Sequence, residues 1–270
     1  MKYCTIFIFI FVFWQYNIVY GQFKSVQIPD SMLVKMKIDG DTSDWDWVPR
    51  KYIITEQSMH KIVSRNNNEK WSCWIKVGWS DLNQKLYIIA KVTDDIFITN
   101  NSQYYLNDCM QFVINPDNIG GRYAGENNVR ANYTIKVAFV SISDKITELR
   151  IINGPDWLKD QKQYITWNVQ HHNKKGGGYE RIYEICLSLW DKWEAEGPEY
   201  SLPTRLFPFK RIKLAFDISD SDTPDDMVNE WTNLATRRWW MNADEIPEFV
   251  LDMSLKNGIS WQSIHYILSQ

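Results

Sequence analysis

The sequence has no excess of positive charge, no cysteine pair at zinc-type spacing and no apolar run long enough to span a membrane. Lys and Arg number 30 against 33 Asp and Glu, a formal charge of −3. Without a basic surface there is no electrostatic footprint for nucleic acid, and that partner is excluded. The 4 Cys and 4 His fall at no Cys-x-x-Cys or Cys/His spacing that would build a zinc site. The longest apolar run, residues 5–14, falls well short of the roughly 20 residues a membrane helix needs. A Pro/Ser-rich linker is missing, as are long amphipathic helices and any repeat of roughly 20–50 residues. Nothing therefore divides the chain into separate domains.

What is abundant is aromatic: 14 Trp and 14 Tyr in 270 residues. Such side chains fill sheet cores, and they also stack on flat ligands. At the N-terminus, Lys2, the apolar run and small Gly21 read as a signal peptide over residues 1–21, with Val19 where Ala is commoner. This predicts a secreted, periplasmic or cell-surface protein with no membrane span in its mature chain; an uncleaved anchor is the alternative. Cys4 precedes the apolar run, where a lipid-modified cysteine would not lie. Removal of the signal leaves Cys73, Cys109 and Cys186. An odd number allows at most one internal bridge, and all three sit in apolar strand-like runs, so they read as buried free thiols.

From residue 71 onward the pattern is one of strands separated by turns. Strands are predicted over residues 71–79 (WSCWIKVGW), 85–92 (KLYIIAKV), 109–114, 133–140, 146–152, 164–169, 179–189 and 211–218. In the second of these, Leu86, Ile88, Ala90 and Val92 share one face. The linking segments are rich in Asn, Asp and Gly. Many short strands at this spacing predict an all-β fold, an antiparallel β-sandwich of jelly-roll or immunoglobulin-like kind. A single domain is expected over residues 28–255, after a loose lead-in. Residues 188–209, with three prolines, read as a loop carrying a short helical turn, and residues 256–270 as a C-terminal appendage. Trp45, Trp71, Trp74, Trp79 and Trp167 lie within or beside apolar strands and are assigned to the core. His171-His172, followed by Asn173-Lys174-Lys175 and three glycines, reads as a hairpin tip.

Four segments in order carry a resemblance. They are Ile38-Asp39-Gly40-Asp41 with Trp45; residues 86–95 (LYIIAKVTDD), ending in paired acids; and residues 105–115 (YLNDCMQFVIN). The fourth joins residues 179–187 to 214–222 (LAFDISDSD), Trp231 and Trp239-Trp240. Together they resemble the family 9 carbohydrate-binding modules, which are related to the DOMON sandwiches, over nearly the whole mature chain.

The resemblance implies a non-catalytic domain that holds a sugar between two aromatic faces while polar side chains read its hydroxyls. Flat rings cover the C–H faces of a pyranose, and polar groups satisfy its rim, where a hydrogen bond to a charged group contributes roughly 1.5–3 kcal/mol. By position, Tyr105 stands for one sandwiching aromatic and Trp239 or Trp240 for the other. Trp240 is preferred, because neighbours in an extended segment alternate faces. Gln111 takes the place of a hydroxyl-binding Glu, and Arg130, Asn132 and Lys136 lie near that of an Arg. The resemblance also implies structural calcium, for which Asp94 and Asp95 are candidates, with Asp217, Asp220, Asp222, Asp225 and Asp226 clustered later. Asp108 is expected instead to orient a loop through backbone N–H groups. The implied partner is a plant-type oligo- or polysaccharide of the xylan or cellulose kind, with glycoside hydrolases as companions in its breakdown. Two alternatives stay open. A DOMON-like haem domain needs His or Met ligands in the core, whereas His60 and His171 lie in polar surroundings. A glycoside hydrolase needs two carboxylates roughly 5–9 Å apart across a cleft, and no motif places two together.

Overall fold

The computed structural model describes residues 23–64, 71–124, 133–225, 228, 230–235 and 239–253. Strand alternation organises what it shows. The strands are β1 (Phe23–Gln27), β2 (Ile53–Thr55), β3 (His60–Ser64), β4 (Ser72–Ser80), β5 (Lys85–Asp94), β6 (Cys109–Asn115), β7 (Ile135–Ser141) and β8 (Thr147–Asn153). They continue as β9 (Ile165–Asn173), β10 (Tyr179–Ser188), β11 (Trp190–Lys192), β12 (Leu202–Pro203), β13 (Arg211–Asp220), β14 (Glu230–Asn233) and β15 (Glu248–Asp252). The eight strands predicted from the sequence correspond to β4–β10 and β13. The all-β expectation holds: helical segments among the described residues are turns of three to five residues. Among the described residues, no helix is long and apolar enough to cross a membrane.

Thirteen strands form one continuous sheet in the order β8-β7-β6-β13-β15-β1-β4-β5-β10-β9, with β14 on β13, β3 on β14 and β2 on β4. β11 and β12 make a separate hairpin. The sheet has two arms, β8-β7-β6-β13 and β4-β5-β10-β9, joined through β15 and β1. The expected purely antiparallel arrangement is corrected here, because β1 runs parallel to both β15 and β4. Nor is residue 23 onward a loose lead-in: β1 is the strand that joins the arms. Residues 188–209 form the β11–β12 hairpin around a 3₁₀ turn at Pro198–Tyr200.

The arms fold over one core. Alternation turns Leu86, Ile88, Ala90 and Val92 inward from β5, and Phe112, Phe139 and Phe216 inward from β6, β7 and β13. Phe139 meets Tyr183 of β10 at 5.3 Å between ring centroids and Trp167 of β9 at 6.1 Å, contacts that cross from one arm to the other. Burial of these residues removes apolar surface from water at about 25 cal/mol per Å². Trp45, Trp71 and Trp79 are buried, while Trp74 and Trp167 pack partly buried against the core. Cys73, Cys109 and Cys186 are buried free thiols, as expected.

The outer face of the second arm is covered by the segment leading from β1 to β2, and one buried carboxylate pins it. Glu184 of β10 accepts from Trp45 Nε1 at 2.8 Å through one oxygen. Its other oxygen accepts from the backbone N–H of Asp39 at 3.0 Å and of Gly40 at 2.9 Å. Asp39 and Asp41 each accept a backbone N–H two residues on, which starts the 3₁₀ turn ending at Trp45. Gly40 is at φ +83°, and a Cβ there would lie 2.4 Å from Gln170 Cγ. These contacts explain why the Ile38-Asp39-Gly40-Asp41…Trp45 pattern has the residues it has.

Candidate functional site

The outer face of the first arm carries polar side chains where a solvent-facing sheet would carry scattered ones. Gln111 on β6 pairs with Asp217 on β13, which pairs with Asn233 on β14, so the three form one row across three strands. Alternation puts them on the face opposite Phe112, Phe216 and the core. Asp217 is 0% exposed. It accepts from Gln111 Nε2 at 3.0 Å, from Asn233 Nδ2 at 2.9 Å and from Trp231 Nε1. Burial pushes its carboxyl up to about 7, against the pull of these donors and of the nearby Lys136 ammonium. Lys136, one strand further on β7, lies 4.7 Å over the Trp239 ring; burial lowers its pKa, opposed by Asp217.

Aromatic side chains stand at both ends of the row. At one end, Gln111 Oε1 accepts from Tyr104 OH at 3.4 Å, and Tyr104 meets Tyr105 edge-on at 5.4 Å. Both belong to the 3₁₀ turn Tyr104–Leu106 before β6. Burial pushes the Tyr104 phenol up to about 12. At the other end, Trp231 stacks on Trp240 at 6.0 Å and 24°. Tyr105 and Trp240 are 40% and 37% exposed, so each presents ring surface to solvent.

Of the residues expected from the sequence, Tyr105 and Trp240 thus lie on this face with open ring surface, on either side of Gln111. Trp239, the other member of the pair, is 1% exposed and packed with Val113, Tyr123 and Ala215. Neighbouring side chains in this segment diverge, and the Trp239 and Trp240 rings are 87° apart. Gln111 is buried and spends its amide N–H on Asp217, which leaves only its carbonyl oxygen toward Tyr104. Arg130 and Asn132 lie outside the described residues, as do the signal segment, residues 256–270 and Asp226. The sequence reading missed Trp231, Asn233 and Tyr104 as parts of the face, and it grouped Asp217 with calcium candidates. The available signal was a charged residue in the middle of the apolar strand 214–218.

At one end of the core, alternation gathers a second polar group. Asp94 ends β5, Asp108 precedes β6 and Asp220 ends β13, all three buried, with a carboxylate oxygen of each within 4.8 Å of the others. Asp108 accepts from the backbone N–H of Ile98 at 2.7 Å and of Ser221 at 2.8 Å, the loop-orienting role expected of it. Tyr179 OH lies 3.1 Å from Asp94 and 3.2 Å from Asp108. Desolvation raises the carboxyls of Asp94 and Asp108 above the usual range. Three carboxylates are hard oxygen donors of the kind Ca²⁺ takes, and a cation would offset the cost of burying them. Asp95 is corrected out of this set: it follows Asp94 on the opposite side of the chain and is exposed. Asp217 faces the other side of the sheet.

The side chains on which the two alternatives turn are placed as follows. His171 faces the Arg181 guanidinium at 3.1 Å and stacks on Tyr179 at 5.1 Å. Three carboxylates come together in the buried trio, and Asp217 is the carboxylate bonded to the row on the aromatic face.

No protein-family model matches the sequence, and no curated protein matches it. Among solved structures, the fold is similar to a family 9 carbohydrate-binding module from Caldicellulosiruptor kristjanssonii in complex with cellotriose. The TM-score is 0.56 at 13% identity, covering 88% of this chain and 97% of that one. A second structure of a family 9 module from the same organism, in complex with glucose, aligns with a TM-score of 0.50 at 14% identity, over 88% of this chain and 98% of that one. At these identities the likeness is one of fold.

Proposed function

We propose that this chain is a secreted, non-catalytic carbohydrate-binding module that holds a sugar on the outer face of β6, β13 and β14. The observation that carries the reading is the row Gln111–Asp217–Asn233 with exposed aromatic rings at both ends. Tyr105 and Trp240 cover the C–H faces of the sugar, and Gln111 Oε1, Tyr104 OH and Lys136 Nζ supply the acceptor and donors for its hydroxyls. Family 9 modules of the same fold in complex with cellotriose and glucose support the ligand class. In this reading the two arms are the layers of a jelly-roll-type sandwich, and the ligand is a plant-type glycan of the cellulose or xylan kind. Its capture serves breakdown by glycoside hydrolases. The N-terminal apolar run supports export, and Asp94, Asp108 and Asp220 hold a structural calcium ion.

Calorimetry of the mature protein against cello- and xylo-oligosaccharides tests this. Saturable binding is expected, and Tyr105→Ala and Trp240→Ala should each weaken it about tenfold or more, since lost ring burial adds to the roughly 0.5–1.5 kcal/mol that an aromatic stacking contact contributes beyond its area. Absence of binding by a folded protein to every oligosaccharide overturns the reading.

A further inference from the structure

We propose that Asp217 is a positioning residue of the sugar site: one buried carboxylate holds both aromatic walls and fixes which end of Gln111 faces Tyr104. The inference rests on the sugar-binding reading and goes beyond it, because Asp217 itself is 0% exposed and touches no sugar.

A carboxylate without its proton only accepts hydrogen bonds. Each group around Asp217 must therefore turn a donor toward it. For Trp231 this sets the plane of the indole, and the Trp231 ring is the surface on which Trp240 stacks. For Gln111 it selects the amide rotamer with Nε2 toward Asp217, so that Oε1 accepts from Tyr104. Asn233 is held the same way, and its own Oδ1 accepts from the backbone N–H of Ala235 at 2.5 Å. Trp231, on which Trp240 stacks, is thus tied to Asp217 through one bond, and Tyr104, which Tyr105 meets edge-on, through two in series.

Protonation would put a hydroxyl among three donors, so one of them must lose its acceptor. The groups that face Asp217 are Lys136 from β7, Cys109 at the start of β6 and Tyr104 before it. Lys136 opposes protonation, burial favours it, and the thiol and phenol are pushed up and stay neutral. With the carboxyl at about 7, its proton is taken up as pH falls through neutrality, and the walls lose their common anchor.

Two readouts test this, the indole N–H signal of Trp231 in NMR, assigned by its loss in Trp231→Phe, and cellotriose affinity by calorimetry. In the wild-type protein the Trp231 signal should titrate near neutrality, and affinity should fall about tenfold between about pH 8 and pH 5.5 as one charge-assisted bond is lost. Asp217→Asn should bind about tenfold more weakly at the higher pH and lose both pH dependences. A Trp231 signal indifferent to pH in the wild type overturns the proposal even where the variant does not fold. So does an Asp217→Asn protein that binds cellotriose like the wild type. If the wild type binds no cellotriose but its Trp231 signal titrates, the sugar reading falls and the anchoring of the wall by Asp217 stands.

Discussion

Replacing Glu184 with Gln tests the anchoring of the segment over the second arm with a change of one atom. Glu184 is 0% exposed and serves three donors through two oxygens. A glutamine has one acceptor and one NH₂ group. Its better rotamer keeps the acceptor on the backbone N–H groups of Asp39 and Gly40 and turns NH₂ toward Trp45 Nε1, donor against donor. The lost bond to a charged acceptor costs roughly 1.5–3 kcal/mol. The two bonds that remain become neutral ones of about half the strength. Against this, burial raises the Glu184 carboxyl above its usual range, so removing the charge recovers some of a desolvation cost. The net expectation is a loss of about 2 kcal/mol. Urea unfolding should show a lower midpoint at unchanged slope. A double-mutant cycle with Trp45→Phe isolates the indole bond, and a coupling of about 1–2 kcal/mol is expected. A Glu184→Gln protein within about 0.5 kcal/mol of wild type, with no coupling to Trp45, would refute the reasoning.

Two further outcomes follow from the structure. Gly40→Ala places a Cβ 2.4 Å from Gln170 Cγ at φ +83°; strain of this kind costs about 1–3 kcal/mol, visible as a lower melting temperature. A melt unchanged from wild type would show that the turn is not constrained. At the Asp94–Asp108–Asp220 cluster, calcium at about a hundredfold its dissociation constant should stabilise the fold by about 2.7 kcal/mol, an effect that Asp108→Asn removes. Without the cation, the raised carboxyls of Asp94 and Asp108 bind protons more tightly in the folded than in the unfolded state. Stability should then rise as pH falls toward about 4, the unfolded value, and calcium should flatten that slope. Melting curves indifferent to calcium at neutral pH would count against the site.

The long strands were legible because each carries its own alternation. Leu86, Ile88, Ala90 and Val92 turn to one side whatever their neighbours are. The short strands β1, β2, β14 and β15 were not legible, since three to five residues hold too few repeats to distinguish a strand from a turn. The parallel placement of β1 depends on partners more than 200 residues along the chain, Phe249 to Asp252. The same limit applied to the site. That Trp240 faces out and Trp239 in followed from local geometry. The contact of Asp217 with Gln111 spans 106 positions and exists only through strand register. Asp94 and Asp95 do not come together because neighbours at a strand end point to opposite sides, and the carboxylates that meet come from three separate strand ends.

The joining of the arms through β1 and β15 has a mechanical consequence. The two strands lie parallel, with Phe23 beside Phe249 and Val26 beside Asp252. The chain therefore enters this ladder at one end and leaves it at the other. Tension applied through the flanking segments pulls the strands past each other lengthwise and loads every rung at once, where an antiparallel pair would unzip rung by rung.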